Sequence, residues 1–257
     1  MTNEFEQEQE AQPLVEHLVE LRNRLVKGVG AIFIVFISLI YFARDIYNIV
    51  AQPLMKALDG SSSMIATDVT ATFLTPFKLT FFVSIFIAMP YLLYQIWAFI
   101  APALYRQEKR LAKPLFLSSV LLFYAGIAFA YFVVLPPIFI FFKAITPDGV
   151  ALMPDITTFL DLVMKMFFAF GLAFEIPVAT VILVTAGIIS PEDLAKKRPY
   201  VIVACFVIAM LMTPPDVLSQ TLLAIPMWAL FEIGIFFGKL AIKKSPIVKD
   251  DTTENTQ

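Results

Sequence analysis

The chain is poor in the side chains from which most enzymes and cofactor proteins are built. Among 257 residues there is one cysteine, Cys205, and one histidine, His17. A single cysteine excludes an intrachain disulfide. A single histidine excludes the paired axial ligands of a b-type haem, and the two counts together exclude a tetrahedral zinc site. His17 precedes the first apolar run, so no histidine stands at membrane depth to activate a serine nucleophile. No G-x-x-x-x-G-K-S/T segment is present, which excludes ATP hydrolysis through a phosphate loop. Charge is scarce too. Asp, Glu, Lys and Arg make up 16%, where a soluble domain carries about 25%. The net charge of −2 and the lack of a long basic tract leave nothing to hold nucleic acid. No metal, no cofactor and no enzymatic activity is expected.

What is abundant is apolar surface: 59% of residues are hydrophobic, and the mean hydropathy is +0.81. The class this implies is an all-α integral membrane protein. Runs of about 20 apolar residues, enough to cross a ~30 Å hydrocarbon core, fall at 25–42, 79–100, 114–134 with a continuation toward Phe141, 160–189, 200–213 and 217–237. Six transmembrane helices are expected within one domain over 13–240, flanked by a disordered tail at 1–12 and a second tail at 241–257. The fifth run would span only about 21 Å at 1.5 Å per residue. The fifth and sixth helices, joined by little more than Thr213 to Asp216, are both expected to be short. That would thin the bilayer and draw Asp216 and Gln220 toward it. Pro90, Pro136, Pro137, Pro177 and Pro226 predict kinked helices and a concave wall rather than a straight bundle. The acidic N-terminus lacks the basic start of a signal peptide. Arg22, Arg24, Lys27, the 106–113 cluster, Lys196 to Arg198 and the lysines after 238 lie on one side. The positive-inside rule makes that side cytoplasmic and places both termini there.

Glu175 interrupts the apolar stretch 167–186. An ionisable side chain at that depth is costly and is a functional candidate by default. Two juxtamembrane clusters also stand out. Around Leu18–Leu25, His17, Glu20 and Arg24 share one face of a helix whose other stripe is leucine. Around Trp97–Arg110, aromatics lead into a proline break and a charged turn. Interfacial anchoring accounts for the aromatics and cations of both. It has no use for Glu20 or Glu108, whereas a carboxylate can accept a guanidinium through parallel hydrogen bonds. A ligand that carries arginines is the second reading.

Six segments then carry a family resemblance: HLVELRNRL (17–25), MIATDVTATFLTPFKLTF (64–81), YQIWAFIAPALYRQEKR (94–110), FGLAFEIPVA (170–179), SPEDLAKKRPY (190–200) and MLMTPPDVLSQTLLAIPMWALFEIG (210–234). Across about Pro13 to Lys239 the chain resembles the TatC family, the multispanning core of twin-arginine protein translocases in the bacterial inner membrane. The resemblance implies recognition of the paired arginines of signal peptides on folded precursors, and export driven by the proton-motive force. It implies single-span partners, TatB and TatA, and a homo-oligomer within a TatBC-type receptor complex embedded in membrane lipids. By motif position it implies that Glu20 and Glu108 contact the signal arginines. Phe99 would share that surface, with Arg22 and Arg24 shaping its N-terminal side. Glu175 matches an intramembrane acid. Met210, Leu211, Thr213 and Gln220 fall where a partner helix would dock. Pro53 in the first outer loop and Asp216 are implied to serve the outer face. The competing reading is a proton-coupled small-solute transporter using Glu175, which would ordinarily show repeated halves and further intramembrane ionisable groups.

Overall fold

A computed structural model describes residues 2–57, 64–100, 109–147, 153–213 and 216–244, with side chains in the first helix described from Leu18 onward. The described residues are helical apart from short connections and one isolated parallel bridge, Ile65 to Asp155. In chain order the helices are α1 (Thr2–Leu39), α2 (Ala43–Ala57), α3 (Val69–Ile100), α4 (Lys109–Phe129), α5 (Leu135–Ala144), α6 (Ile156–Ala173), α7 (Ile176–Thr185), α8 (Pro191–Lys196), α9 (Arg198–Met212) and α10 (Val217–Lys244). A 3-10 turn, Ile40–Phe42, joins α1 to α2, and a π segment, Ala130–Val134, joins α4 to α5.

Five stretches are long and apolar enough to cross a membrane: Leu18–Gln52, Thr72–Phe99, Lys113–Ala144, Ile156–Thr185 and Val217–Ala241. The apolar α9 is the fifth expected span, and its 15 residues reach about 22 Å. The fifth helix is therefore short, as expected. The sixth is not: α10 has 28 residues. That expectation rested on the tight Thr213–Asp216 junction, and Pro226 was expected to kink the helix. Pro226 instead lies inside an unbroken helix, which continues past Phe237 through the basic Lys239–Lys244 turn. Pro76, Pro90 and Pro114 are also carried within helices. Of the five prolines expected to kink the spans, Pro136 and Pro137 at the head of α5 and Pro177 at the head of α7 coincide with a break. There the missing N–H falls where a helix start leaves donors unpaired in any case.

The chain forms two compact units, residues 1–120 with 131–165, and residues 121–130 with 166–257. In the first, α1 and α2 pack along α3, and α2 also meets α5. Gly28 lets α1 approach closely, since a Cβ there would stand 2.9 Å from Leu92 Cδ2. Phe36 meets Phe81 edge-on at 5.7 Å, and the Tyr131 hydroxyl donates to the Ile49 carbonyl at 3.0 Å. At the Val69 end of α3, Ile65 N–H donates to Pro154 O (3.1 Å) and Ile156 N–H to Ile65 O (2.9 Å). Asp155 locks this junction. One carboxylate oxygen accepts from Thr67 N–H and hydroxyl at 3.1 and 2.7 Å, while the other accepts from Thr157 and Thr158 N–H at 2.9 and 3.1 Å. One side chain thus caps α6 and clasps a strand-like segment 88 residues earlier.

In the second unit, α10 packs against α7, α9 and α8. Val184, Leu194, Phe231 and Ile235 form a buried cluster, with Ile176, Ile189 and Val201 against it. The seam between α7 and α10 is made by Gly234 and Gly238, which face Thr180 and Val184. This G-x-x-x-G spacing brings two backbones together without a hydrophobic driving force. Gly126 in turn lies against the Phe170 carbonyl, and Gly171 against the Phe123 ring. α7 ends in a Schellman turn: Gly187 has φ +68, its N–H reaches Val184 O at 3.1 Å, and Ile188 N–H reaches Leu183 O at 3.0 Å. Ser190 then caps α8 by accepting from Asp193 N–H at 3.0 Å, with Pro191 in the first turn. The Ser190 hydroxyl and then Lys196 hold the Asp193 carboxyl below its usual range.

Candidate functional site

Of the sequence-predicted receptor residues, Glu20, Arg22, Arg24 and Phe99 fall among the described residues of the first unit. Helical spacing sets Glu20 and Arg24 one above the other on α1. Arg24 donates from Nε and Nη2 to Glu20 Oε1 at 2.9 and 2.5 Å, and from Nη1 to Gln95 Oε1 on α3 at 3.3 Å. Gln95 is 9% exposed, beside the buried Trp97. Phe99, half-buried, follows one turn later near the end of α3. One guanidinium therefore fastens α1 to α3 at Gln95, one turn before Phe99. A shallow groove of about 400 Å³ adjoins it, lined by Val19, Glu20, Asn23, Arg24 and Lys27.

Arg22 stays outside this cluster. It lies two positions from Glu20, about 200° around the helix, and its Nη2 is exposed beside Asn23 Oδ1 at 3.3 Å. Glu108 lies outside the described residues. Pro53 falls within α2 rather than in a loop, and its side chain also lies outside the described residues. The groove as described carries one carboxylate against two cations, so a second acid is needed for it to attract an arginine pair.

Glu175 is placed at a corner. α6 stops at Ala173 and α7 starts at Ile176, with Glu175 as the half-buried residue that precedes α7. The ladder tightens there: Glu175 N–H donates to Leu172 O at 3.0 Å, and Glu175 O accepts from Ala179 N–H at 2.9 Å. Pro177 has no N–H to give Ala173, which is why the helix breaks at this point. Phe129 packs on Phe170 and Phe174 at 5.5 Å on the approach to the corner.

At the α9–α10 junction the residues divide. Met210 and Leu211 are exposed, at 49% and 71%. Thr213 is buried and donates its hydroxyl to Ala209 O at 3.1 Å. Asp216 caps α10 by accepting from Ser219 N–H at 2.7 Å, and Gln220 is half-buried in the first turn. Asp216 Oδ2 and Ser219 Oγ are buried and have no hydrogen-bond partner among the described residues. Beside them Ile202, Cys205, Phe206, Ala224, Ile225 and Trp228 line an apolar groove of about 230 Å³. Across the other end of this helix pair, Arg198 forks onto Glu232, Nε to Oε1 at 2.7 Å and Nη2 to Oε2 at 2.8 Å.

Sequence reasoning missed Gln95, Asp155 and the Arg198–Glu232 fork. Each acts by meeting a residue far away in the chain. Only the helical register of Gln95 beside Trp97 and Phe99 could have pointed to it.

The profile of the family described as Sec-independent protein translocase protein (TatC) matches residues 16–226. The chain belongs to the TatC family. The Sec-independent protein translocase protein TatC of Escherichia coli strain K12 is 57% identical over 236 residues, covering 92% of each chain. That of Azotobacter chroococcum mcd 1 is 56% identical over 243 residues, 94% of this chain and 95% of the relative. A crystal structure of a twin-arginine translocase receptor TatC superposes with a TM-score of 0.80 at 41% identity, over 88% of this chain and 99% of the other. Membership makes the chain a multi-pass membrane component of a protein translocase and not an enzyme. The solute-transporter alternative finds no support among these relatives.

Proposed function

We propose that this chain is the signal-peptide receptor of a twin-arginine translocase in the bacterial inner membrane, with both termini in the cytoplasm. Its membrane domain covers 13–240, between two cytoplasmic tails. Glu20 and Glu108 take the two signal guanidinia, Phe99 gives the peptide an aromatic contact, and Arg22 and Arg24 border the site. The observation that best supports this reading is Glu20 itself, a half-exposed carboxylate already engaged with a guanidinium. TatB and TatA would dock on Met210, Leu211, Thr213 and Gln220, where exposed apolar side chains border buried polar atoms that lack partners among the described residues. Asp216 and Pro53 would serve the outer face. Glu175 would offer a polar contact at the break in the fourth span. Several copies would assemble in a TatBC-type complex and use the proton-motive force to export folded precursors.

A photocrosslinker at Phe99 tests the site, using signal peptides that carry Arg-Arg or Lys-Lys. Crosslinking should favour Arg-Arg, fall with rising salt and be lost in Glu108→Lys. Breaking one side of a partly buried arginine–carboxylate pair costs about 2–5 kcal/mol, so the swap has a visible effect. Equal crosslinking by both peptides would end the proposal.

A further inference from the structure

We infer that Arg24 is the resting occupant of the Glu20 carboxylate, and that a ligand guanidinium binds by taking its place while Gln95 keeps Arg24 at the site. The inference rests on the reading of Glu20 as a receptor for signal arginines.

The geometry is that of an exchangeable ligand. Arg24 uses two edges of its guanidinium: Nε and Nη2 face Glu20, and Nη1 faces Gln95. The bond to Gln95 runs through a different nitrogen from those on Glu20. It can therefore persist when the Glu20 oxygen is given up, so Arg24 need not be expelled into the membrane interface. The pair is open to exchange, with side-chain exposures of 24% for Arg24 and 39% for Glu20. The adjoining groove carries Lys27 as well as Arg24. An incoming cation is repelled there unless it replaces the one on Glu20.

Replacement of one guanidinium by another conserves the hydrogen bonds at Glu20. Both Arg24 N–H groups converge on Glu20 Oε1, and an ammonium lacks the planar pair of N–H groups that a guanidinium presents there, so a lysine competes poorly against a resident arginine. Arg24 thereby sets a threshold that only a planar, forked cation clears. Discrimination arises by raising the cost of the wrong ligand as well as by attracting the right one. On this account Arg24 and Gln95 are specificity-determining residues, and tight binding is not their purpose.

The test uses the full chain in lipid nanodiscs and fluorescent signal peptides carrying Arg-Arg or Lys-Lys. Arg24→Gln should tighten Arg-Arg binding by about three- to fivefold, the scale of one partly exposed charge pair. It should tighten Lys-Lys binding more, so that the ratio between the peptides narrows. Arg24→Lys, which keeps the charge and loses the fork, should fall between wild type and Arg24→Gln. Gln95→Leu should weaken Arg-Arg binding, because displaced Arg24 then has no second acceptor. That loss should vanish when Arg24→Gln is also present, a coupling that a merely structural role for Gln95 would not produce. Weaker or unchanged binding in Arg24→Gln, or a Gln95→Leu defect that persists in the double variant, overturns the inference. Glu20→Gln separates the two levels. If it leaves binding untouched, the receptor reading fails and the exchange with it. If it weakens binding while Arg24→Gln gives no gain, only the exchange fails.

Discussion

Gly234 on α10 lies so near Thr180 on α7 that a methyl group at Gly234 would come within 2.9 Å of Thr180 Oγ1 and 3.1 Å of the Pro177 Cα. α7 is the helix that begins directly after Glu175, so this contact fixes the corner of the fourth span against the last helix. Gly238 is less confined, since a methyl group there would stand 3.3 Å from Val184 Cγ2.

Gly234→Val should therefore destabilise the protein by about 1–3 kcal/mol through overpacking, and Gly238→Ala by clearly less. Thermal unfolding in detergent measures both. Equal melting temperatures for the two variants would contradict the seam described between α7 and α10.

The Arg198–Glu232 fork calls for both nitrogens of a planar guanidinium. Arg198→Lys should lower the melting temperature although the charge is kept. Glu232→Arg alone should lower it further, and the swapped pair Arg198→Glu/Glu232→Arg should recover part of the loss. A swap that recovers nothing would mean that the two side chains act independently.

The Asp155 clasp should resist acid. The Thr67 hydroxyl and N–H, followed by Thr158 N–H, hold its carboxyl down from 3.8 to about 2. A lowered carboxyl contributes its stabilisation in full above the ordinary value and loses it only as pH falls toward the lowered one. Amide-exchange protection at Thr67, Thr157 and Thr158, corrected for intrinsic rates, should thus be the same at pH 7 and pH 5. It should collapse in Asp155→Ala at both. Loss of protection in wild type at pH 5 would show that another group governs the clasp.

At Glu175 the size and polarity of the side chain should matter more than its charge. Glu175→Gln is expected to transport a twin-arginine precursor better than Glu175→Leu. Equal loss in both variants would assign the role to the charge instead. Pro177→Ala returns an N–H to the Ala173 carbonyl and should straighten the corner, which spin-label distances across 168–182 would register.

The broad plan was legible because membrane spans announce themselves through length and apolarity. The break at Glu175 was legible from Pro177 alone. α2 was not, because its polar face at Arg44, Asp45, Asn48 and Gln52 hid a helix that continues the first span through a 3-10 turn. The length of α10 was misjudged because its apolar run, 217–237, ends before the basic turn through which the helix continues to Lys244. Gly234 and Gly238 stood in the sequence at the right spacing, yet nothing local said which helix they would face. The Glu20–Arg24 pair follows from helical register. Its third partner, Gln95, does not, because that contact depends on how α1 is rotated against α3.

The junction at Asp155 has a bearing on biogenesis. Thr67 and Asp155 are 88 residues apart, and at about 5–20 residues per second of synthesis the second follows the first by roughly 4–18 s. Throughout that interval the Thr67 N–H and hydroxyl lack the carboxylate that they meet in the folded chain. The loop is completed only when the head of α6 arrives, so the order of insertion is written into which partner must come last.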